Sequence, residues 1–532
     1  MKRIKRLLSK KPIQLLPFIL VLLAFIISRA WNFNTNPLGF FCDEAEIGHN
    51  SYLLLKNGFT QFVTPLFYRH FEYIFGALPV YATSPFVYIF GLNEFSVRLS
   101  TLFYSVLCLI VLYLILKKIK SYYPVLIILY FAFTPIYFHF SKPNFGLMPS
   151  FLFILLSYYL FLFINNKKKS NIIYPFLSGA CLGISAYGYG GYLITSALFF
   201  LILLLTLILK NIRTKKNIKY TLFFIFSFCF VYTPIVLAIL FNNAYISRIN
   251  QKDESNKDLN VKKRIVKVIL NYPKYYSLDY LFFKGEIDMN GGYVKRHSIQ
   301  GNGELYRSSL PIILSALVLY VFFDKDKKRK RLYLPFFLLF LAYPFSDVLT
   351  TNYEEPPYSI SVFTTIFFLP FMVSYVFAFI KKNRRILNNK KKVIAIFILL
   401  IFLIEAIFFL INNNKYPAYS SGYFGWQYGY KPVMEIFEEK ERYYDELLIT
   451  HRFNRGEVLL SFYNTQINCR KCRVMSNPIE IDSNKKQLFA LRKDDINEAK
   501  ERYKGLEFKI KKRIYLPDGS TEIFIGEFAQ AF

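Results

Sequence analysis

The sequence predicts a polytopic α-helical membrane protein with a small α/β domain at its C-terminal end. Three observations predict it. Hydrophobic residues make up 54% of the 532 residues and aromatic ones 19%, and apolar runs long enough to cross a bilayer recur from residue 13 to residue 411. Every second link between those runs is basic: Lys117–Lys120, Lys167–Lys169, Lys210–Lys219, Lys325–Arg331 and Lys381–Lys392. That alternation follows the positive-inside rule. From Asn412 onward the pattern changes to short helix-like and strand-like runs.

The formal net charge of +32 first suggests nucleic acid as a partner. Its distribution excludes that reading. Residues 412–532 hold 20 Lys+Arg against 17 Asp+Glu, so nearly all of the excess lies in residues 1–411, largely in short links between the apolar runs.

In chain order, Met1–Lys11 is basic and Pro12–Ile27 apolar. Trp31-Asn32-Phe33 follows in place of a small-residue cleavage site, so a retained signal-anchor helix is expected, with its N-terminus in the cytoplasm. Further spans are expected at about 93–116, 122–140, 145–164, 171–187, 191–209, 220–241, 308–323, 331–349, 358–380 and 393–411, about eleven in all. Tyr73–Phe90 is apolar enough to join them, but Gly76, Pro79 and Pro85 interrupt it, and a span there would put the basic links outside. It is expected to be interfacial or re-entrant. This gives a membrane domain over 1–411, with outer loops 31–92 and 242–307, and an extracytoplasmic domain over 412–532. In that domain Pro432–Leu447 and Lys493–Lys504 read as helices. Leu447–Thr450, Val458–Phe462, Phe508–Leu516 and Glu522–Phe528 read as strands, the last two joined by a Pro517-Asp518-Gly519 hairpin turn.

The residues with chemistry gather in the outer loops. Asp43, Glu44 and His49 follow the first span at once, where charge beside a membrane needs a reason. The alternative for Asp43 is a helix cap. Arg69, His70 and Glu72 come later in that loop, and Arg98 stands near the outer end of the next span, where it could also snorkel. The second loop holds Lys284, Glu286, Asp288, Lys295, Arg296, His297, Glu304 and Arg307 among glycines, a composition suited to an anionic headgroup or to plain solvation. Cys469-Arg470-Lys471-Cys472 lacks a second ligand pair for zinc, with only His451 near, so a local disulfide is expected. No phosphate-binding loop, dinucleotide fingerprint or Ser-His-Asp arrangement is present.

Four stretches resemble the GT-C glycosyltransferases of family 39, the protein O-mannosyltransferases among them, and the related aminoarabinose transferases. They are Cys42-Asp43-Glu44-Ala45, Thr64–Arg69, Phe90–Leu99, and Leu281-Phe282-Phe283 through Arg296-His297 to Gly303-Glu304-Leu305-Tyr306. The resemblance implies a polyprenyl-phosphate monosaccharide donor and an extracytoplasmic acceptor: a protein, a lipid or a glycan. It makes Asp43 the catalytic base, with Glu44 beside it, of an inverting transfer. Arg69, Arg98, Arg296 and His297 become candidates for the donor phosphate, and His49, His70, Glu72 and Tyr306 for the rest of the substrate site. Such enzymes often place a second acid in the next outer loop to help hold a metal. Here Phe140-Ser141-Lys142-Pro143-Asn144 has none, which leaves Asp43 and Glu44 as the ligands of any divalent ion. An arginine common near Pro356–Ser361 is also absent. A transporter or flippase for a lipid-linked sugar would share this topology. It would need charges at mid-membrane depth within the spans, where few stand: Glu405 lies within one span and Asp347 near the end of another.

Overall fold

The computed structural model describes residues 2–60, 62–70, 73–164, 171–211, 218–241, 261–286, 296–349, 357–382, 391–423 and 425–530. Helix α1 (Lys2–Ala30) ends beside the exposed Trp31, a residue suited to a membrane interface. A short turn leads into α2 (Cys42–Asn57), whose first turn carries Asp43 and Glu44. Acidic side chains there complement the helix dipole. Strands β1 (Phe62–Thr64), β2 (Phe67–His70) and β3 (Tyr73–Gly76) form an antiparallel meander. The apolar run Tyr73–Phe90 is thus divided between β3 and α3 (Leu78–Phe90). At ~1.5 Å per residue α3 reaches only ~20 Å, short of a ~30 Å hydrocarbon core.

Helix α4 (Glu94–Lys118) begins at a reciprocal cap, in which Asn93 accepts from the Ser96 N–H and Ser96 from the Asn93 N–H. The run 122–140 is two helices, α5 (Pro124–Ala132) and α6 (Pro135–Phe140), because Pro135 starts a new one. Next come α7 (Leu147–Phe161), α8 (Ile173–Ser185), α9 (Gly191–Asn211) and α10 (Ile218–Phe241). Gly179 and Gly183 let α8 lie against α10: a Cβ would come within 2.2 Å of Ser227 Oγ at one and 2.8 Å of Val231 at the other. Small residues serve close helix contacts in membranes this way.

Helix α11 (Val261–Asn271) precedes α12 (Ser309–Val318) and α13 (Lys327–Ala342). The run 358–380 consists of α15 (Ser359–Val362), a 3₁₀ turn and α16 (Phe368–Lys382), with α14 (Phe345–Val348) before it. Among the described residues, α4, Gly191–Leu209 of α9 and α10 are long and apolar enough to cross a membrane. Leu15–Ala30, Leu147–Phe161, Ile173–Ser185 and Ser309–Phe323 are shorter apolar helices.

Helix α17 (Lys391–Ser420) runs 30 residues without a break, so the boundary expected between 411 and 412 falls inside a helix. Beyond it lies a five-stranded sheet in the order β5-β4-β6-β8-β7. Strand β4 (Glu446–Ile449) pairs parallel with β5 (Cys472–Val474) and β6 (Gln487–Leu491). Strand β8 (Thr521–Gln530) pairs antiparallel with β6 and β7 (Leu506–Tyr515). All of β4 is buried, as a central strand covered on both faces is. Helices α18 (Tyr430–Lys440), α19 (Gly456–Ile467) and α20 (Lys493–Arg502) complete the domain. The strand expected at Val458–Phe462 is part of α19. Its buried Val458, Leu459, Phe462 and Tyr463 follow a helical period that a five-residue window hides. The β7–β8 turn is the expected one, with Gly519 at φ +83. Cys469 and Cys472 form a disulfide.

The turn before α2 is where the two parts meet. Gly39 has φ +104, and a Cβ there would lie 2.4 Å from the Trp426 carbonyl oxygen and 2.8 Å from the Tyr428 nitrogen. Gly39→Ala is therefore expected to destabilise the protein by about 1–3 kcal/mol, as overpacking does, read as a lowered thermal midpoint of the detergent-solubilised chain.

Candidate active site

The first turn of α2 is fixed by a buried ion pair. Arg98 Nη2 lies 2.8 Å from Glu44 Oε2 and Arg98 Nε 3.0 Å from Glu44 Oε1, with 1% and 0% of the side chains exposed. The remaining guanidinium donors reach the carbonyls of Pro37 (3.0 Å) and Gly39 (2.6 Å). Glu44 Oε1 also accepts from the Asn144 backbone N–H at 3.1 Å. These are not the positions expected of a phosphate-binding arginine and a catalytic glutamate. Both charges are used internally, and they hold α2 against α4. Asn144, in the link where the second acid was sought, braces the pair, and its amide also donates to Val97 O, Ser100 Oγ and Thr83 Oγ1.

Asp43 is the carboxylate left at the edge of this cluster, partly buried at the start of α2. Its Oδ1 lies 3.6 Å from Cys42 Sγ. Burial, with the Asp43 charge adding, pushes the Cys42 thiol well above its usual range, so Cys42 stays protonated. Two arginines approach the first turn of α2. Arg455 donates to Glu46 Oε2 at 2.7 Å. Burial alone would lower its pKa, but the Glu46 and Asp43 carboxylates raise it. Arg296 sits over the Phe41 ring, 4.1 Å from its centroid, close enough to Cys42 for charge to be felt.

The C-terminal domain supplies much of this site. Arg455 lies just before α19, and Gln427 Oε1 accepts from the Cys42 N–H at 3.2 Å, satisfying one of the open donors of the α2 N-terminus. Trp426 is fully buried against Phe41 and Phe145. None of the three was singled out as a site residue from the sequence. The available signal for Arg455 was its place in the loop after a predicted strand, where α/β domains present side chains.

The second loop contributes an internal network. His297 Nδ1 donates to Glu286 Oε1 at 2.9 Å, and both are buried, so His297 does not face a phosphate as expected. Glu286 Oε2 accepts from the Ser359 N–H at 2.7 Å. The hydroxyls of Ser298 and Ser359 donate to Glu304 Oε1 at 2.6 and 2.8 Å. Tyr306 is buried among Tyr130, Phe402 and Phe409 and donates to the Phe133 carbonyl, so it is a packing residue rather than a substrate contact. His49 lies on α2, and burial lowers its pKa. Arg69 and His70 are in β2, but their side chains, like Glu72, Asp288 and Lys295, lie outside the described residues.

Asp43 and Glu44 do not fit a divalent ion, because Glu44 is occupied by Arg98 and Asn144 and Arg455 stands near Asp43. Among the described residues no group of three or more His, Cys, Asp or Glu could hold a metal. The charges a transporter would use are engaged too. Glu405 accepts from the Ser308 N–H at the start of α12, and Asp347 accepts from the Tyr275 hydroxyl.

The oligosaccharyltransferase of Archaeoglobus fulgidus in its apo form matches this architecture with a TM-score of 0.53 at 15% identity. The match covers 88% of this chain and 65% of that one, so the chain spans about two thirds of that enzyme. The same enzyme tethered to an acceptor peptide containing the NVT sequon gives a TM-score of 0.53 at 13% identity, over 98% and 74%. ArnT from Cupriavidus metallidurans, also apo, gives 0.50 at 9% identity, over 96% and 97%. The chain has a GT-C fold. No protein-family profile and no curated protein matches the sequence. Within the GT-C fold, the turn before α2, the segment at Arg296 and the C-terminal domain meet at the start of α2.

Two predictions follow from this geometry. Breaking a buried pair leaves one charge uncompensated, so Arg98→Met or Glu44→Gln is expected to lose about 3–5 kcal/mol. The double variant should lose less than the sum, by thermal melts of all three proteins. Burial holds the Glu304 carboxyl up at about 8, against 4.5 for the free side chain. The folded state therefore keeps a proton there that the unfolded chain releases. The stabilisation is full below pH 4.5 and is lost as pH rises through about 8. Glu304→Gln should flatten that fall when thermal midpoints are compared between pH 5 and 8.

Proposed function

We propose that the protein is a membrane glycosyltransferase that moves a monosaccharide from a polyprenyl-phosphate donor to an acceptor outside the cytoplasm. The observation that carries this reading is Asp43: a partly buried carboxylate at the first turn of a helix locked by an internal ion pair, with Arg455 near it and Arg296 over the neighbouring Phe41 ring. The GT-C fold supports it, since the matching solved structures include an oligosaccharyltransferase, one form of it holding an acceptor peptide.

In this mechanism the Asp43 carboxylate takes the proton of an acceptor hydroxyl as its oxygen attacks the anomeric carbon. The bond from that carbon to the phosphate oxygen breaks, and its electron pair leaves with the polyprenyl phosphate. The leaving group is already an anion and needs cationic stabilisation rather than a proton donor. Arg296 and Arg455 are assigned that role, in place of Arg98 and His297. Attack from the face opposite the leaving group inverts the sugar, the geometry that also governs inverting glycosidases. The donor's isoprenoid chain runs between the apolar helices. The N-terminus is cytoplasmic, about eleven helices span the bilayer, and the α/β domain lies outside with Asp43.

Asp43→Asn is expected to reduce transfer about 10²–10⁴-fold while leaving the thermal midpoint and donor binding unchanged. The assay follows radiolabelled sugar from polyprenyl-phosphate donors in membranes containing the protein. Wild-type turnover in the variant removes Asp43 from the mechanism. Movement of donor across the bilayer without transfer selects a flippase instead.

A further inference from the structure

One large cavity does not open on Asp43. It has a volume of about 1380 Å³ and lies at the other end of α4, beside Lys118 and Lys120. Twenty residues separate Arg98 from Lys118, so the two places are ~30 Å apart along the helix. The ends of α4, α7, α9, α13 and α16 surround it. Its two parts differ in chemistry. Phe161, Leu207, Leu332 and Pro335 give it apolar walls between helices, while seven cations and a single carboxylate, Asp326, lie at its basic part.

That balance decides what fits. Asp326 is already paired with Lys382, and Arg329 is held by Asp324 through contacts of 2.6 and 2.7 Å. Lys120, Lys327, Lys328 and Arg331 line the same cavity and form no ion pair among the described residues. Uncompensated cations gathered at one opening repel each other and draw a polyanionic partner. Solvated links explain scattered lysines, but they do not explain an apolar cavity behind them. A cavity that joins an apolar cleft to a cationic mouth matches an amphiphile with a phosphate headgroup.

We propose that this cavity is a binding site for an anionic phospholipid, its phosphodiester held by Lys120, Lys328 and Arg331 and an acyl chain lying against Phe161, Leu207 and Leu332. The site is separate from the Asp43 cluster and does not depend on the activity proposed for it. Occupancy joins the ends of α4, α7, α9, α13 and α16, which makes anionic lipid a structural ligand of the face opposite Asp43.

The test uses the full-length protein purified in detergent and exchanged into vesicles or nanodiscs of phosphatidylglycerol or of phosphatidylcholine. Retained lipid is counted by native mass spectrometry. The expected result is retention of phosphatidylglycerol but not of phosphatidylcholine. The triple variant Lys120→Gln/Lys328→Gln/Arg331→Gln should bind about a hundredfold more weakly, from the share each basic side chain contributes. These side chains are exposed, so the fold is expected to survive, as an unchanged thermal midpoint in phosphatidylcholine would verify. Lys493→Gln/Lys500→Gln/Arg502→Gln, at exposed positions of α20, is the charge-matched control and should bind as the parent does. Leu162→Trp, which fills the apolar part, should also reduce retention. The proposal is overturned if the triple variant retains as much phosphatidylglycerol as the parent or if the control loses as much. It is equally overturned if inorganic phosphate alone binds as tightly as the lipid, which would make this a site for a soluble anion.

Discussion

The contact between Arg98 and Glu44 is the constraint on which the rest of the candidate site depends. Both groups have left water, and such a pair is tolerated only where every remaining donor and acceptor finds a partner. Here the carbonyls of Pro37 and Gly39 and the backbone of Asn144 complete the arrangement. Four separate pieces of chain are thereby tied together: the turn before α2, α2 itself, α4 and the link after α6. Asp43 is adjacent to Glu44 in sequence but points elsewhere, because successive residues on a helix are ~100° apart. One acid is consumed in holding the helix, and its neighbour is left at the edge of the site.

The membrane class and the order of apolar segments were legible because hydropathy and basic links are long-range signals that survive local irregularity. The place of Asp43 in the first turn of a helix directly after the first apolar run was legible from the sequence. The roles of Glu44 and Arg98 were not, since a charged residue near a membrane reads alike whether it meets a substrate or another side chain. Only the fold reveals that residues 54 apart in sequence are in contact. Val458–Phe462 misled for a different reason. Its apolar density suits a strand, and its helical period becomes visible only over the whole of Gly456–Ile467. Strands β5 and β6 were missed because each is short and its burial comes from neighbours in the sheet.

The two ends of the molecule divide their charges differently. At the Asp43 end, cations meet carboxylates within bonding distance, and the local field is nearly balanced. At the opposite end, lysines and arginines outnumber acids around an apolar recess. The second arrangement agrees with the positive-inside rule, yet a rule about insertion does not by itself produce a recess. Helix ends that stop short of one another do, and here they belong to five different helices.

Helix α17 carries the chain through the boundary expected from composition and delivers Trp426 and Gln427 directly onto the turn at Gly39. The C-terminal sheet domain is consequently not an appendage that evolution could exchange freely for another tail. A graft that kept every apolar helix and replaced residues after 420 would leave the α2 N-terminus uncapped and Glu46 without its arginine. Sequence divergence should then be sought in the tail and in the segment around α2 together, as one co-varying surface.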